Sequence, residues 1–200
     1  VTNGGPGTAH NVSLSDPLPT GTGLKSWLFG AFKVNSPQFP VTPDLEGPVS
    51  EAYKALDAGI HCVRLNPGNI GSQQRVREVV HAARDRKVPI RIGVNAGSLE
   101  EDIVARHGWP TAEGMVESAE RHIRFLEDEG YREIKVSLKA HDVAMTVKAN
   151  RLFAERFEYP LHLGVTEAGT LLAGTVKSAA GLGILLADGV GDTIRISLTA

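Results

Sequence analysis

Five short stretches of this 200-residue sequence can each be split into two chemically opposite faces: HCVRL (61–65), VPIRIGV (88–94), EIKVSL (133–138), PLHLGV (160–165) and TIRISL (193–198). Side chains alternate across a β-strand, so every second residue belongs to one face. One set holds Val63 and Leu65; Ile90, Ile92 and Val94; Ile134, Val136 and Leu138; Leu161, Leu163 and Val165; Ile194, Ile196 and Leu198. The other holds Arg64 and Asn66; Arg91, Gly93 and Asn95; Lys135, Ser137 and Lys139; His162, Gly164 and Thr166; Arg195 and Ser197. A doubly wound sheet is covered by helices on both sides and requires strands apolar on both faces. A closed barrel instead turns the aliphatic face to a ring of helices and the polar face to the lumen and the active-site end. The expected fold is α/β: a partial (β/α)8 TIM-type barrel, with strands equivalent to about the third or fourth through the eighth.

Helix-like segments separate these strands. Val76, Val79, Val80 and Ala83 fall on one helical face, and Met115, Ala119, Ile123 and Leu126 on another. Ser98 followed by Glu101 has the spacing of a capping box and predicts a helix start there. Before about Ser50 the pattern differs. Residues 1–48 are rich in Gly, Pro, Thr and Ser, with brief alternating runs such as HNVSLSD and AFKVN, and predict a β-rich irregular segment. The expected division is 1–48 and 49–200, the latter an incomplete TIM-barrel substrate-binding domain.

The polar face carries Arg64, Arg91, Lys135, Lys139 and Arg195 in a chain whose formal net charge is -2. That balance offers no basic field for nucleic acid or an anionic membrane, so any anion site has to be a local cluster. Unpaired cations in a barrel interior cost on the order of several kcal/mol each, which calls for an anionic ligand of comparable charge. Arginine forks match phosphate geometry, and a ligand with two phosphates fits the number of cations. The turn after the first strand, Asn66-Pro67-Gly68-Asn69, adds amides and a glycine at a helix start, where anions are favoured. For Lys135, earliest in its strand, the alternatives are pairing with Asp or Glu inside the barrel or a place at its solvent-exposed bottom. For His162, in mid-strand, a hydrogen-bonded interior role is expected. Glu167 follows PLHLGVT directly at the mouth and is the candidate for proton transfer or contact with a substrate hydroxyl, against the alternative of a helix-capping carboxylate. Cys62 is the sole cysteine, which excludes an internal disulfide and a thiolate-held metal site made by this chain alone. The sequence has no apolar run long enough to span a membrane, begins without a signal peptide's pattern, and reads as cytoplasmic.

The segments RLNPGNIG, PIRIGVNAGSLE, KVSLKAHDV, PLHLGVTEAGT and VKSAAGLGILLADGVGDTIRISL together resemble the bacterial 4-hydroxy-3-methylbut-2-enyl diphosphate synthase family from about Ala52 to Ala200. The resemblance implies a barrel that binds 2-C-methyl-D-erythritol 2,4-cyclodiphosphate, whose ring is opened and reductively dehydroxylated in isoprenoid biosynthesis. It implies a [4Fe-4S] cluster on a separate domain, with ligands absent from this chain, fed by flavodoxin or ferredoxin, and a homodimer. By motif, Arg64, Asn66, Arg91, Asn95, Lys139, Arg195 and Ser197 would bind substrate, and Glu167 would face the hydroxyl region near the cluster. The family's first two barrel strands find no counterpart, and Asp44 alone corresponds to its third-strand loop. VTNGGPGTAHNVSLSDPLPTGTGL (1–24) is similar to a β-sandwich repeat of bacterial surface proteins. Two alternatives stand beside this reading: another phosphate-binding barrel, such as a pterin-binding synthase, and a non-catalytic chimeric fragment.

Overall fold

The computed structural model describes residues 48–66 and 73–198. The expectations for residues 1–47, including the β-rich segment, the surface-repeat likeness and Asp44, lie outside the described residues, as does the turn at Pro67, Gly68 and Asn69. In chain order the elements are α1 (Pro48–Asp57), β1 (Val63–Leu65), α2 (Gln73–Asp85), β2 (Ile90–Asn95), a 3-10 turn (Ala96–Ser98), α3 (Glu101–His107), α4 (Ala112–Asp128), β3 (Ile134–Lys139), α5 (Val143–Ala154), β4 (His162–Leu163), α6 (Leu171–Ala187) and β5 (Thr193–Ile194).

Every strand pairing is parallel. β1, β2 and β3 form one sheet, β4 and β5 another, and a parallel bridge between Val136 and Leu161 joins the two into an arc whose spatial order is the chain order. Parallel neighbours need a crossover, which the intervening helices supply on the outer side. The aliphatic set turns outward to them: Val63, Ile90, Ile92, Val136, Leu138 and Leu163 are fully buried, together with Val79, Val80, Ala83, Met115, Ala119 and Leu126 from the helices. Phe153 of α5 is also fully buried and stacks on Phe157 with ring centroids 4.8 Å apart.

Three local expectations are corrected. PLHLGV and TIRISL contribute only two ladder residues each, although the Arg195 N–H still donates to the Leu163 carbonyl at 2.9 Å. Ile196 is 46% exposed and Leu198 half-buried, the latter lying against Gly174 of α6. Ser98 does not cap a helix: α3 begins at Glu101 without a side-chain cap, and the Ser98 hydroxyl pairs with Asn66. The functioning caps are Thr111, accepting from the Gly114 N–H at 3.0 Å, and Asp142, accepting from the Met145 N–H at 2.6 Å.

The end of β3 is tied to α5 through buried polar groups. Asn150 Nδ2 donates to the Leu138 carbonyl at 2.9 Å and to the Thr146 carbonyl at 2.8 Å. Thr146 Oγ1 accepts from the Ala140 N–H and donates to the Asp142 carbonyl at 2.8 Å. Replacing the fully buried Asn150 with leucine of similar size strands the Leu138 carbonyl. Asn150→Leu is expected to lower the unfolding free energy by about 1–3 kcal/mol, read as a lower urea midpoint with an unchanged slope.

Candidate anion-binding site

The parallel register sets the polar side chains in rows across the lumen. Arg64, Arg91 and Lys135 are partners across β1–β3, Gly93 is the partner of Ser137, and Asn95 the partner of Lys139. Two glycines make room for the long cations. A Cβ at Gly93 would collide with the Arg64 guanidinium, which lies across that position and donates from Nη2 to the Gly93 carbonyl at 3.0 Å. A Cβ at Gly164 would stand 3.0 Å from Lys139 Nζ and 2.5 Å from the Arg195 carbonyl. At Gly164 the Arg195 carbonyl leaves no room for a side chain, whereas a side chain at Gly93 would have to displace that of Arg64.

The result is a cavity of about 140 Å³ walled by Arg64, Arg91, Lys139 and Arg195, with Asn95, Ser137, Thr166 and Ser197 as its neutral polar groups and Val165 as its apolar one. Among the described residues no carboxylate makes an ion pair with Arg64, Arg91 or Lys139, whereas the outer helices pair Arg121 with Asp102 at 2.7 Å and Lys148 with Glu113 at 2.6 Å. Arg91 Nε is buried without a hydrogen-bond partner. Burial foremost, and then the charges of Arg91, Arg195 and Arg64, push Lys139 well below the usual lysine range. Burial likewise lowers Arg91, to about 10, and lowers Arg64 and Arg195. A multiply charged anion would reverse each of these penalties.

Of the residues expected at the site, the fold brings Arg64, Arg91, Asn95, Lys139, Arg195 and Ser197 to one cavity. Asn66 is not in its lining; its amide Nδ2 donates to Ser98 Oγ at 3.2 Å and ties the end of β1 to the turn after β2. Glu167 is exposed, next in sequence to the cavity residue Thr166, and holds a left-handed φ of 50°. That conformation is uncommon for a residue other than glycine and is sustained by the surrounding structure. Lys135 lies outside the cavity at the start of β3. His162 is an interior histidine whose Nδ1 is 2.7 Å from Thr193 Oγ1; burial, then the neighbouring cations led by Lys139, lower it to about 2, so the ring is neutral. Ser137 and Thr166 were on the polar face in the sequence but not singled out; the alternation that revealed the cations was the signal that marks them too.

Lys139 also gives the free chain a pH signature. In the unfolded chain a lysine titrates near about 10.4; in the folded chain Lys139 titrates lower. Across that interval the unfolded chain binds more protons, so stability rises with pH there and the destabilisation is fully present below the folded value. Thermal unfolding of the ligand-free chain is expected to move upward as pH approaches about 10, and Lys139→Met should flatten the rise. Equal profiles for the two chains would contradict this assignment.

The sequence profile of the GcpE TIM-barrel domain matches residues 30–200, beginning upstream of the Ala52 at which the quoted motifs start. The chain is 61% identical over 170 residues to the 4-hydroxy-3-methylbut-2-en-1-yl diphosphate synthase (flavodoxin) of Geobacter sulfurreducens, which covers 85% of this chain and 48% of that protein. It is 62% identical over 161 residues to the Magnetococcus marinus protein of the same name (80% and 43% covered), and 54% identical over 162 residues to that of Thermodesulfovibrio yellowstonii (81% and 46%). The chain thus spans about half the length of the curated relatives it matches. A pterin-binding barrel, the alternative open to a cationic lumen, is set aside by this match. With parallel βα units around a polar lumen and a profile match over most of its length, the chain belongs to the GcpE TIM-barrel domain family.

Proposed function

We propose that this chain supplies the diphosphate-binding barrel of a 4-hydroxy-3-methylbut-2-enyl diphosphate synthase acting in isoprenoid-precursor biosynthesis. Its substrate on this reading is 2-C-methyl-D-erythritol 2,4-cyclodiphosphate, whose ring is opened and whose carbon skeleton loses a hydroxyl at the expense of two electrons. The observation that carries the reading is the cavity in which Arg64, Arg91, Lys139 and Arg195 converge. The three guanidinium forks and the Lys139 ammonium would hold the phosphates, Asn95 and Ser197 would donate to their oxygens, and Asn66 would act through Ser98 by fixing the end of β1. Glu167, at the rim, would hold the proton exchanged with the departing hydroxyl.

Flavodoxin is the electron donor on this reading, with ferredoxin as the related option, and the resemblance carries the expectation of a cytoplasmic homodimer. No described helix is long and apolar enough to cross a membrane. A [4Fe-4S] cluster does not fit the donors of this chain. Its one cysteine, Cys62, is half-buried, and burial pushes its thiol up, against the opposing effect of Lys135 and Arg91. Reduction therefore has to draw on thiolates outside this sequence, while binding and orienting the diphosphate belong to the barrel.

Calorimetric titration of the cyclic diphosphate into the chain tests the reading. Binding is expected to weaken by about ten-fold or more in Arg91→Ala and to weaken with added salt; equal affinity with and without Arg91 would overturn it. Glu167→Gln is expected to weaken the cyclic diphosphate while leaving inorganic pyrophosphate unaffected, because pyrophosphate has no carbon hydroxyl to contact. An equal loss for both ligands would remove Glu167 from the hydroxyl region.

A further inference from the structure

Glu100 precedes the first residue of α3, where a carboxylate ordinarily accepts from the free N–H groups of the opening turn. It does not cap. Its backbone carbonyl accepts from the Ile103 and Val104 N–H groups, both at 3.0 Å, while its side chain turns away from the helix and into α4. There Oε2 accepts from the hydroxyl of the fully buried Ser118 at 2.7 Å, and Oε1 is buried without a hydrogen-bond partner.

The neighbours of Glu100 leave that oxygen poorly compensated. Arg121 Nη1 stands 3.9 Å from Oε1, but its guanidinium is engaged by Asp102 through two bonds of 3.0 and 2.7 Å. His122 Nδ1 is 3.7 Å from Oε1 and 3.1 Å from the Ser118 carbonyl. A carbonyl only accepts, so Nδ1 carries its proton there. Burial foremost holds the ring below the usual histidine range, and it is neutral at pH 7. A carboxylate that forgoes its cap and buries an unpaired oxygen is a local cost. Such costs persist where another requirement outweighs them.

The segment that Glu100 closes begins at the cavity. Asn95 lines it and pairs with Lys139 in the last step of the β2–β3 ladder. The turn Ala96–Ser98 and Leu99 follow. Among the described residues, side-chain hydrogen bonds fix this stretch at two points: Ser98 with Asn66 at the end of β1, and Glu100 with Ser118 on α4.

We infer that Glu100 is a positioning residue: through Ser118 it ties the end of β2 to α4 and thereby holds Asn95 in place for the bound diphosphate. This rests on the diphosphate reading of the cavity and deepens it, because it gives a binding role to a tie outside the lumen. Removing a carboxylate makes the chain less acidic, which by itself favours an anion. A loss of affinity therefore reports displacement and not charge.

The test uses the full chain and inorganic pyrophosphate, with affinity measured calorimetrically and amide hydrogen exchange measured without ligand. Glu100→Ala is expected to bind about three-fold or more weakly, and to speed exchange at residues 96–99 while the interior of β2 keeps its protection. Ser118→Ala, which breaks the same bond from the other side, should do likewise, and Glu100→Gln, which keeps an acceptor, should recover most of the affinity. In an Asn95→Ala background the effect of Glu100→Ala on affinity should vanish, since the tie acts through Asn95. Wild-type affinity in Glu100→Ala or in Asn95→Ala overturns the inference. So does an equal loss with and without Asn95, which would make Glu100 a packing residue. These outcomes leave the diphosphate reading intact if binding still depends on Arg91. No binding by the wild-type chain, or binding indifferent to Arg91, overturns that reading and this inference with it.

Discussion

The mutual repulsion of four cations held in one partly buried cavity is the constraint around which the described fold is arranged. Arg64, Arg91, Lys139 and Arg195 would separate if their strands could move, because each is poorly solvated and faces like charges. They are kept together by the opposite side of the same strands. The outward aliphatic face is fully buried under the helices at Val63, Ile90, Ile92, Val136 and Leu138, and the parallel register fixes which residues stand side by side. Hydrophobic burial outside thus offsets electrostatic cost inside, with the favourable and unfavourable contributions on alternate residues of one strand.

Small residues and polar ties turn that arrangement into a site. Gly93 and Gly164 leave the space that the Arg64 and Lys139 side chains occupy. The hydrogen bonds of Asn150 and Thr146 to the backbone at Leu138, Ala140 and Asp142 fix the segment that presents Lys139. His162 contributes no charge because burial and the adjacent cations keep its ring neutral, so it adds polarity to the lumen without adding repulsion. The outer surface follows a different rule: arginines of α3 and α4 find carboxylates, as in the Arg121–Asp102 pair, and such exposed pairs contribute little stability.

Cover of the arc is uneven. The α4 and α5 helices bury their inner faces against β2 and β3, with Met115, Ile123, Leu126 and Phe153 fully or almost fully buried. Towards the other end, Leu171 and Leu172 of α6 are 70% and 78% exposed, and Ile196 beyond β5 is 46% exposed. The ladder shortens at that same end, where β4 and β5 hold two residues each. Cavity residues Thr166, Arg195 and Ser197 lie on this less covered side, opposite the well-packed strands that carry Arg91 and Lys139.

By itself the sequence determined the fold class and the identity of the cavity cations, because strand alternation is a local rule that assigns each residue to a face without knowledge of its neighbours in space. It also marked His162 as an interior residue and Cys62 as insufficient for a cluster. Tertiary structure alone decided how far along the lumen each polar residue stands. That depends on strand register and on which positions lack a Cβ: it moved Asn66 onto Ser98, left Lys135 outside the cavity, left Glu167 exposed beside Thr166, and brought Ser137 into the lining. The capping spacing at Ser98 failed for the same reason, since a long-range partner 32 residues away in sequence competed successfully for its hydroxyl. Local periodicity fixes faces; only packing between distant segments fixes depth, because register is set by contacts that no short stretch of sequence contains.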